Sequence, residues 1–261
     1  MNADQLKTPT TDALDRLATL LDEGHSAGLT ALLKTMGRFH RYSFHNLCLI
    51  TAQCPTATRV AGFHTWRTMG RFVRKGEKGI AILAPIIGRR NTDAADDDLR
   101  TVRGFRAAYV FDIAATDGAP LPETAEASGD PGGKTAALRA AIVASGIVVE
   151  SSDDLGGARG TSSGGRIQIP NGLSPAEEFV VLAHEWAHEL HRADDRPASR
   201  DTRELEAEAV AFVVGEAVGL EVSQASKDYL HLYHGDREAL TQSLDRIQRA
   251  SSVILTAVTA A

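Results

Sequence analysis

The segment that most constrains this chain is LAHEWAHELHR at residues 182–192, which contains the pattern His-Glu-x-x-His. His184 and His188 are four residues apart, so on a helix both imidazoles project from one face and can bind a single ion. Glu185 is turned by about 100° from His184, where its carboxylate can act as a general base on water beside that ion. The alternative is an exposed helix whose histidines face water.

The residues before this pattern contain a helix start signal. Ser174 is suited to the N-cap, Pro175 to the first helical position and Glu177 to the return partner of a capping box. The apolar run FVVLA follows directly. We therefore predict a half-buried helix, in which an unpaired polar cluster would be costly.

Two histidines do not complete a catalytic metal site, and the next predicted helix, DTRELEAEAVAFVVGEAVG, offers glutamates. Glu204 and Glu208 share a face of this helix, whereas Glu206 points elsewhere. We favour Glu204 as the third ligand and Glu208 as a residue that orients a ligand histidine. A solvated glutamate face is the alternative. The predicted ion is Zn²⁺, with water as its fourth ligand.

The net charge of -6 conceals two halves of opposite sign. Residues 36–90 contain ten Lys/Arg and one acid, which gives +9, whereas residues 136–261 contain eleven bases and nineteen acids, which gives -8. Two modules with different partners are therefore expected.

The basic block also contains aromatic residues at intervals, as a sequence-tolerant binder of single-stranded DNA requires. Tyr42 and Trp66 are the predicted stacking residues, although a small domain needs such rings in its core as well. The RKGEKG turn is a predicted phosphate clamp, with a solvated hairpin tip as the alternative. The candidate DNA-binding residues are Arg41, Tyr42, Trp66, Arg71, Arg74, Lys75 and Lys78.

The fold class indicated by the pattern of the chain is α+β. Helical periodicity precedes short β-type runs around KGEKG and in RAAYVFDIA, and residues 115–134 are rich in Gly, Pro and acids. We predict a small α+β domain over residues 1–114, a linker over 115–134 and a second domain over 135–261.

The class of protein follows from what the sequence lacks. Its apolar runs are too short to span a membrane, and the start of the chain is polar, which predicts a soluble cytoplasmic protein without a membrane partner. Cys48 and Cys54 fit neither a disulfide framework nor a paired-thiolate zinc site, so reduced thiols are expected.

Two families share motifs with this sequence. HEWAH followed by ELEAEAVAF resembles the metallopeptidases of the ImmA/IrrE type, whose zincin-like domain takes its third zinc ligand from a glutamate on the next helix. The stretch from YSFHNLCLI through GRFVRKGEKGIAILAP resembles the single-stranded-DNA-binding domain of ArdC antirestriction proteins.

These resemblances imply a single-stranded-DNA-binding domain followed by a zincin-like metallopeptidase domain. The implied role is antirestriction-like protection of incoming or mobile-element DNA, with a protein substrate that the sequence does not identify. Two alternatives stay open: a regulatory protease that cleaves a repressor, and a non-enzymatic coating protein with a structural metal site. Glu185 disfavours the second alternative, since a structural site needs no base.

Overall fold

A computed structural model of the chain describes residues 11, 15, 26–89, 100–118, 129–153, 155, 158–192, 199–222 and 237–259. The chain divides into two compact units. The first unit comprises Met1–Asp15 and His45–Pro122, and the second comprises Arg16–Phe44 and Glu123–Ala261. Helices and antiparallel strands both occur, so the α+β prediction is confirmed.

The helices are α1 (Ser26–Arg38), α2 (Phe44–Gln53), α3 (Phe63–Thr68), α4 (Lys134–Ala144), α5 (Pro175–Arg192), α6 (Arg200–Val218) and α7 (Arg237–Thr259). The strands are β1 (Val60–Gly62), β2 (Arg71–Val73), β3 (Ile80–Arg89), β4 (Arg100–Asp112), β5 (Thr116–Gly118), β6 (Val148–Ser152), β7 (Thr161–Ser162) and β8 (Arg166–Pro170).

The first unit contains two small antiparallel sheets. One has the strand order β1-β4-β3, and the other pairs β2 with β5. The KGEKG turn therefore connects strands of different sheets, although the sequence suggested two strands around one turn. Gly76 adopts a φ of 91° in this turn, a conformation that favours glycine.

Helix α2 covers the outer edge of β3 with amide side chains. Asn46 donates to the carbonyl of Leu83 and accepts from its N–H, both at 2.8 Å. Gln53 makes the same pair of bonds with Ala81, at 2.8 and 3.0 Å. Between them, Leu49 packs on Ala81. The two amides thus satisfy backbone groups that an exposed edge strand would leave unpaired.

The second unit packs helices around a mixed sheet of order β6-β8-β7, in which β6 and β8 are parallel and β7 is antiparallel to β8. Helix α5 packs against α6, and α7 packs against both. The core is formed by fully buried apolar side chains from these helices, including Phe179, Leu182, Val210, Val213, Leu244, Ile247 and Ile254.

Helix α1 belongs to the second unit, where it packs on α6 and α7. Gly37 allows the close approach to α6, because a Cβ at this position would lie 2.9 Å from the carbonyl oxygen of Val213. Lys34 pairs with Glu216 at 2.8 Å. The buried amide of Gln248 donates to the carbonyls of Phe39 and Tyr42, which follow α1.

The units therefore differ from the predicted domains at both ends of the first domain. Residues 16–44 lie in the second unit instead of the domain predicted at 1–114, because the apolar face of α1 packs on helices that are distant in sequence. Residues 116–118, at the start of the predicted 115–134 linker, form β5 and pair with β2. Composition alone does not reveal such pairing.

The predicted start of α5 is confirmed. The helix begins at Pro175, and the backbone N–H and the hydroxyl of Ser174 both donate to the Glu177 carboxylate, at 3.0 and 2.7 Å.

Two further features concern the Cys48 thiol and membrane-spanning helices. Cys48 is a buried free thiol, and burial raises its pKa to about 12. In the described part of the chain, no helix combines the length and apolar character that a membrane span requires.

The amide bridge between α2 and β3 provides a test of the first unit. We expect Asn46→Ala to lower the free energy of unfolding by about 1–3 kcal/mol, because the backbone groups of Leu83 lose their partners. The control is Thr51→Ala on the same helix, whose hydroxyl donates to Leu47 within α2 and which should change stability by less than about 0.5 kcal/mol. Urea denaturation of both variants measures the difference, and equal effects would contradict this role.

Candidate functional site

Helix α5 separates an apolar face from a face that carries the predicted metal ligands. Phe179, Leu182 and Trp186 are buried in the core of the second unit, whereas His184 and His188 are half-buried and line a cavity of about 880 Å³. The capping box and Pro175 define where the helix begins, and the spacing of the apolar residues then determines which face is covered.

Glu204 on α6 faces the two histidines. Its Oε2 lies 3.5 Å from Nε2 of His184 and 3.4 Å from Nε2 of His188, and the two Nε2 atoms are 3.0 Å apart. Among the residues that the structure describes, this is the only group of three candidate ligands that converges on one point.

The geometry of this triangle fits a single metal ion. Tetrahedral coordination with bonds of about 2.0–2.1 Å separates ligand atoms by about 3.3–3.4 Å. Two imidazole nitrogens and one carboxylate oxygen are also the donor set of an open three-ligand site. The predicted set of His184, His188 and Glu204 is therefore brought together, within reach of one ion.

The electrostatics of the histidines favour neutral imidazoles, the form that binds a metal. Burial lowers the pKa of His184 to about 4, and the neighbouring His188 acts in the same direction. Burial also lowers the pKa of His188, although the Glu204 carboxylate partly opposes this effect.

Glu185 is buried beside the three converging side chains. Burial raises its pKa to about 7, and the carboxylates of Glu204 and Glu189 add to the increase. Gly160, just before β7, leaves room for it, because a Cβ at Gly160 would lie only 2.6 Å from Glu185 Oε1. A carboxyl group with a pKa near 7 can both accept and return a proton.

The β7–β8 hairpin is attached to the end of α5 by a carboxylate. Glu189 accepts hydrogen bonds from the N–H groups of Gly164 and Gly165, at 3.0 and 2.7 Å, one on each oxygen. Both glycines have positive φ, 66° and 87°, as a tight hairpin turn requires. Strand β7, the terminal strand of its sheet, is thereby held beside Glu185 and lines the cavity.

The three glutamates at the start of α6 occupy different environments. Glu204 and Glu208 line the cavity, as expected of a shared face. Glu206 is fully buried on the other side, where Arg246 of α7 donates to it at 3.2 Å and also donates to the carbonyl of His191 at 3.3 Å. Arg246 thus links the ends of α5 and α6 that carry the site.

Sequence reasoning missed Gly160, Glu189 and Arg246. Each acts across a long sequence separation on a partner that has no fixed spacing from it. The doublet Gly164-Gly165 is a hairpin signal that could have drawn attention to the β7–β8 turn.

The basic residues predicted to bind DNA fall into different environments of the first unit. Arg71 is half-buried and donates to the hydroxyl and the carbonyl of Thr116, so it holds β5. Arg74 is exposed but is paired with Glu77 at 2.7 Å. Lys75 and Lys78 are exposed in the turn, as the phosphate-clamp hypothesis requires.

The two predicted stacking residues differ in exposure. Trp66 is only 2% exposed, and its indole N–H donates to the carbonyl of Phe111 at 2.8 Å. The prediction that Trp66 stacks on bases is therefore wrong, because its ring is a core element. Arg41 and Tyr42 lie in the second unit, where Tyr42 is half-buried and its ring meets Phe39 edge-on.

Strand β4 exposes aromatic residues that the sequence analysis did not select. Phe105 and Tyr109 lie on one face of this strand, four residues apart, and are 58% and 49% exposed. Arg103 and Arg106 on the same strand are exposed too. A Cβ at Gly79 would lie 3.1–3.2 Å from atoms of Tyr109, so the residue that follows Lys78 packs directly against Tyr109.

Known proteins resemble this chain in sequence and in fold. Residues 16–111 match the family of the N-terminal domain of anti-restriction factor ArdC. Crystal structures of antirestriction ArdC from the R388 plasmid, metal-free and Mn(II)-bound, have TM-scores of 0.52 and 0.53 with the whole chain, at 20% identity. They cover 96% and 95% of the chain, and it covers 98% and 97% of theirs, so the ArdC likeness extends to the fold of both units.

A curated relative is also similar. An uncharacterized protein of Bacillus anthracis is 24% identical over 98% of the chain. The chain spans about half the length of this relative, 52%.

The close approach of Gly160 to the buried carboxylate gives a direct test. We expect Gly160→Ala to lower the free energy of unfolding by about 1–3 kcal/mol, because its methyl group overlaps Glu185 and Val181. Gly133→Ala is the matched control in the same unit, since a Cβ there meets nothing within 4 Å. Chemical denaturation distinguishes them, and an unchanged Gly160→Ala would contradict the tight fit around Glu185.

Proposed function

We propose that the second unit is a zinc-dependent peptidase and that the first unit binds single-stranded DNA, in an antirestriction-like role. The observation that carries the peptidase proposal is the convergence of His184, His188 and Glu204 beside the buried Glu185. The proposed zinc ligands are the two imidazole Nε2 atoms and the Glu204 carboxylate. The Mn(II) in the R388 ArdC structure supports a divalent ion in this fold.

The bound metal would supply a Lewis acid that polarises the scissile carbonyl. Glu185 would take a proton from the attacking water and deliver it to the leaving amine, for which a pKa near 7 is suited. Strand β7 lines the cavity with an edge that can pair with an extended peptide. Glu189 would keep this strand in position through its two bonds to the hairpin turn.

The assignment of the metal ligands is tested by metal analysis. We expect about one zinc ion per chain, lost in His184→Ala/His188→Ala and retained in Glu185→Gln. Glu204→Gln should weaken zinc binding more than Glu208→Gln does. For Glu208→Gln we expect a loss of zinc affinity of about 10- to 100-fold, as for a residue that only orients a ligand. Competition with a fluorescent chelator measures these affinities, and Glu216→Gln on the same helix is the control.

The order of these effects decides the third ligand. Full zinc affinity in Glu204→Gln together with loss of zinc binding in Glu208→Gln would transfer the role of third ligand to Glu208.

The Glu185→Gln variant tests whether DNA protection requires proteolysis or only coating of the DNA. If the variant keeps its zinc and still protects DNA in a host lysate, proteolysis is not needed for protection. The peptidase proposal is then tested only by cleavage of a protein substrate.

The DNA-binding proposal rests on charge and on exposed rings. Eight of the ten Lys/Arg of residues 36–90 lie in the first unit, at residues 45–90, and supply cations for phosphates. On β4, the exposed Phe105 and Tyr109 supply π-faces for unstacked bases, and Tyr109 packs against Gly79, the residue after Lys78. These two rings replace Trp66 as the proposed stacking residues.

Stacking and phosphate contacts are separable by salt dependence. We expect Phe105→Ala and Tyr109→Ala each to weaken binding of a single-stranded oligonucleotide by about 1–3 kcal/mol with an unchanged salt slope. Lys75→Ala/Lys78→Ala should make the log-log slope shallower by about 1.4, which is 0.7 for each of two phosphates. Fluorescence anisotropy over a salt series measures both, with Phe63→Ala as an exposed aromatic control. Equal affinity for duplex DNA would contradict stacking.

A further inference from the structure

The arginines of the acidic C-terminal half are unevenly distributed. Residues 136–261 contain only eleven basic residues, and four of them line the cavity that holds the candidate metal site. These four are Arg159, Arg192, Arg200 and Arg203. Because the same half carries nineteen acids, a basic cluster here is not a consequence of overall composition.

Three of these arginines differ in their pairing from the other described arginines of residues 136–261. Outside the cavity, every arginine of residues 136–261 whose side chain is described is paired with a carboxylate: Arg139 with Glu178, Arg166 with Glu150, Arg246 with Glu206 and Arg249 with Asp245.

Inside the cavity only Arg192 has such a partner, Glu189 at 3.3 Å. Within the described ranges, no carboxylate lies within 4 Å of the guanidinium of Arg159, Arg200 or Arg203, and all three side chains are exposed. Three guanidinium groups around one cavity are thus available to an incoming anion.

The arrangement of charge within the cavity indicates the kind of anion. The carboxyl group of Glu185 is buried, whereas Glu204, Glu208 and the arginines are exposed at the cavity. A nucleic acid backbone has a charge on every phosphate and would be repelled by the carboxylates of Glu204 and Glu208. A peptide has neutral amides along its backbone and charges only on its side chains.

We infer that this cavity selects peptide segments whose acidic side chains flank the substrate peptide bond that would be cleaved beside Glu185. Arg159, Arg200 and Arg203 bind those carboxylates. Guanidinium groups match carboxylates through two parallel hydrogen bonds, which gives orientation as well as affinity. This inference rests on the proposed peptidase function and names its substrate class.

The test uses the full chain with Glu185→Gln, loaded with zinc, so that binding is measured without cleavage. Three fluorescein-labelled peptides of equal length carry alternating Glu, Gln or Lys. We expect the acidic peptide to bind roughly 10-fold or more tightly than the neutral one, and the basic peptide to bind most weakly. Adding Arg159→Gln/Arg203→Gln should remove most of this preference, whereas the control Arg249→Gln should not.

Two outcomes would overturn the inference. One is equal affinity for the acidic and neutral peptides. The other is an acidic preference that survives Arg159→Gln/Arg203→Gln and is displaced by an oligo-dT competitor, because the peptide would then occupy the basic surface of the first unit.

Failure of the peptidase proposal gives a different result. In that case the acidic peptide binds through Arg159 and Arg203, but the zinc-loaded wild type cleaves no member of a mixed peptide library. Cleavage without enrichment of Asp or Glu near the cut bond would instead support the peptidase and contradict the acidic selectivity.

Discussion

The second unit depends on the two-sided character of helix α5. Its apolar face must be buried for the unit to have a core, and this burial turns His184 and His188 toward the cavity. The polar groups then need partners, because unpaired buried polar atoms are costly. The Glu204 carboxylate lies close to the histidine nitrogens, and the Glu189 carboxylate accepts hydrogen bonds from backbone N–H groups of the hairpin turn. One helix therefore organises both the core and the candidate site.

The neighbouring elements are attached to α5 by polar contacts of long sequence range. Arg246 bonds to the His191 carbonyl at the end of α5 and to Glu206 on α6, two residues from Glu204. The hairpin that carries β7 is attached one residue after His188, through Glu189. The distances between the ligand atoms thus depend on α7 and on the small sheet, as well as on the helix that carries the His-Glu-x-x-His pattern.

In the first unit, amide side chains satisfy backbone polar groups that would otherwise lack partners. Its sheet ends at β3, whose outer edge is covered by the amides of Asn46 and Gln53. The exposed groups that the DNA-binding proposal uses are the rings on β4 and the lysines of the turn. Trp66, the largest aromatic residue of the basic block, is used for the core, so exposure and not residue type distinguishes the candidate stacking surface.

The sequence by itself determined what depends on short spacing: the start of α5 at Pro175, the shared face of His184 and His188, and the opposite directions of Glu204 and Glu206. Helical geometry relates such residues over one or two turns. Only the tertiary structure decided which aromatic residues are exposed, that α1 packs with the second unit, and that unpaired arginines gather at the cavity. These properties depend on contacts between distant segments, which no local pattern encodes.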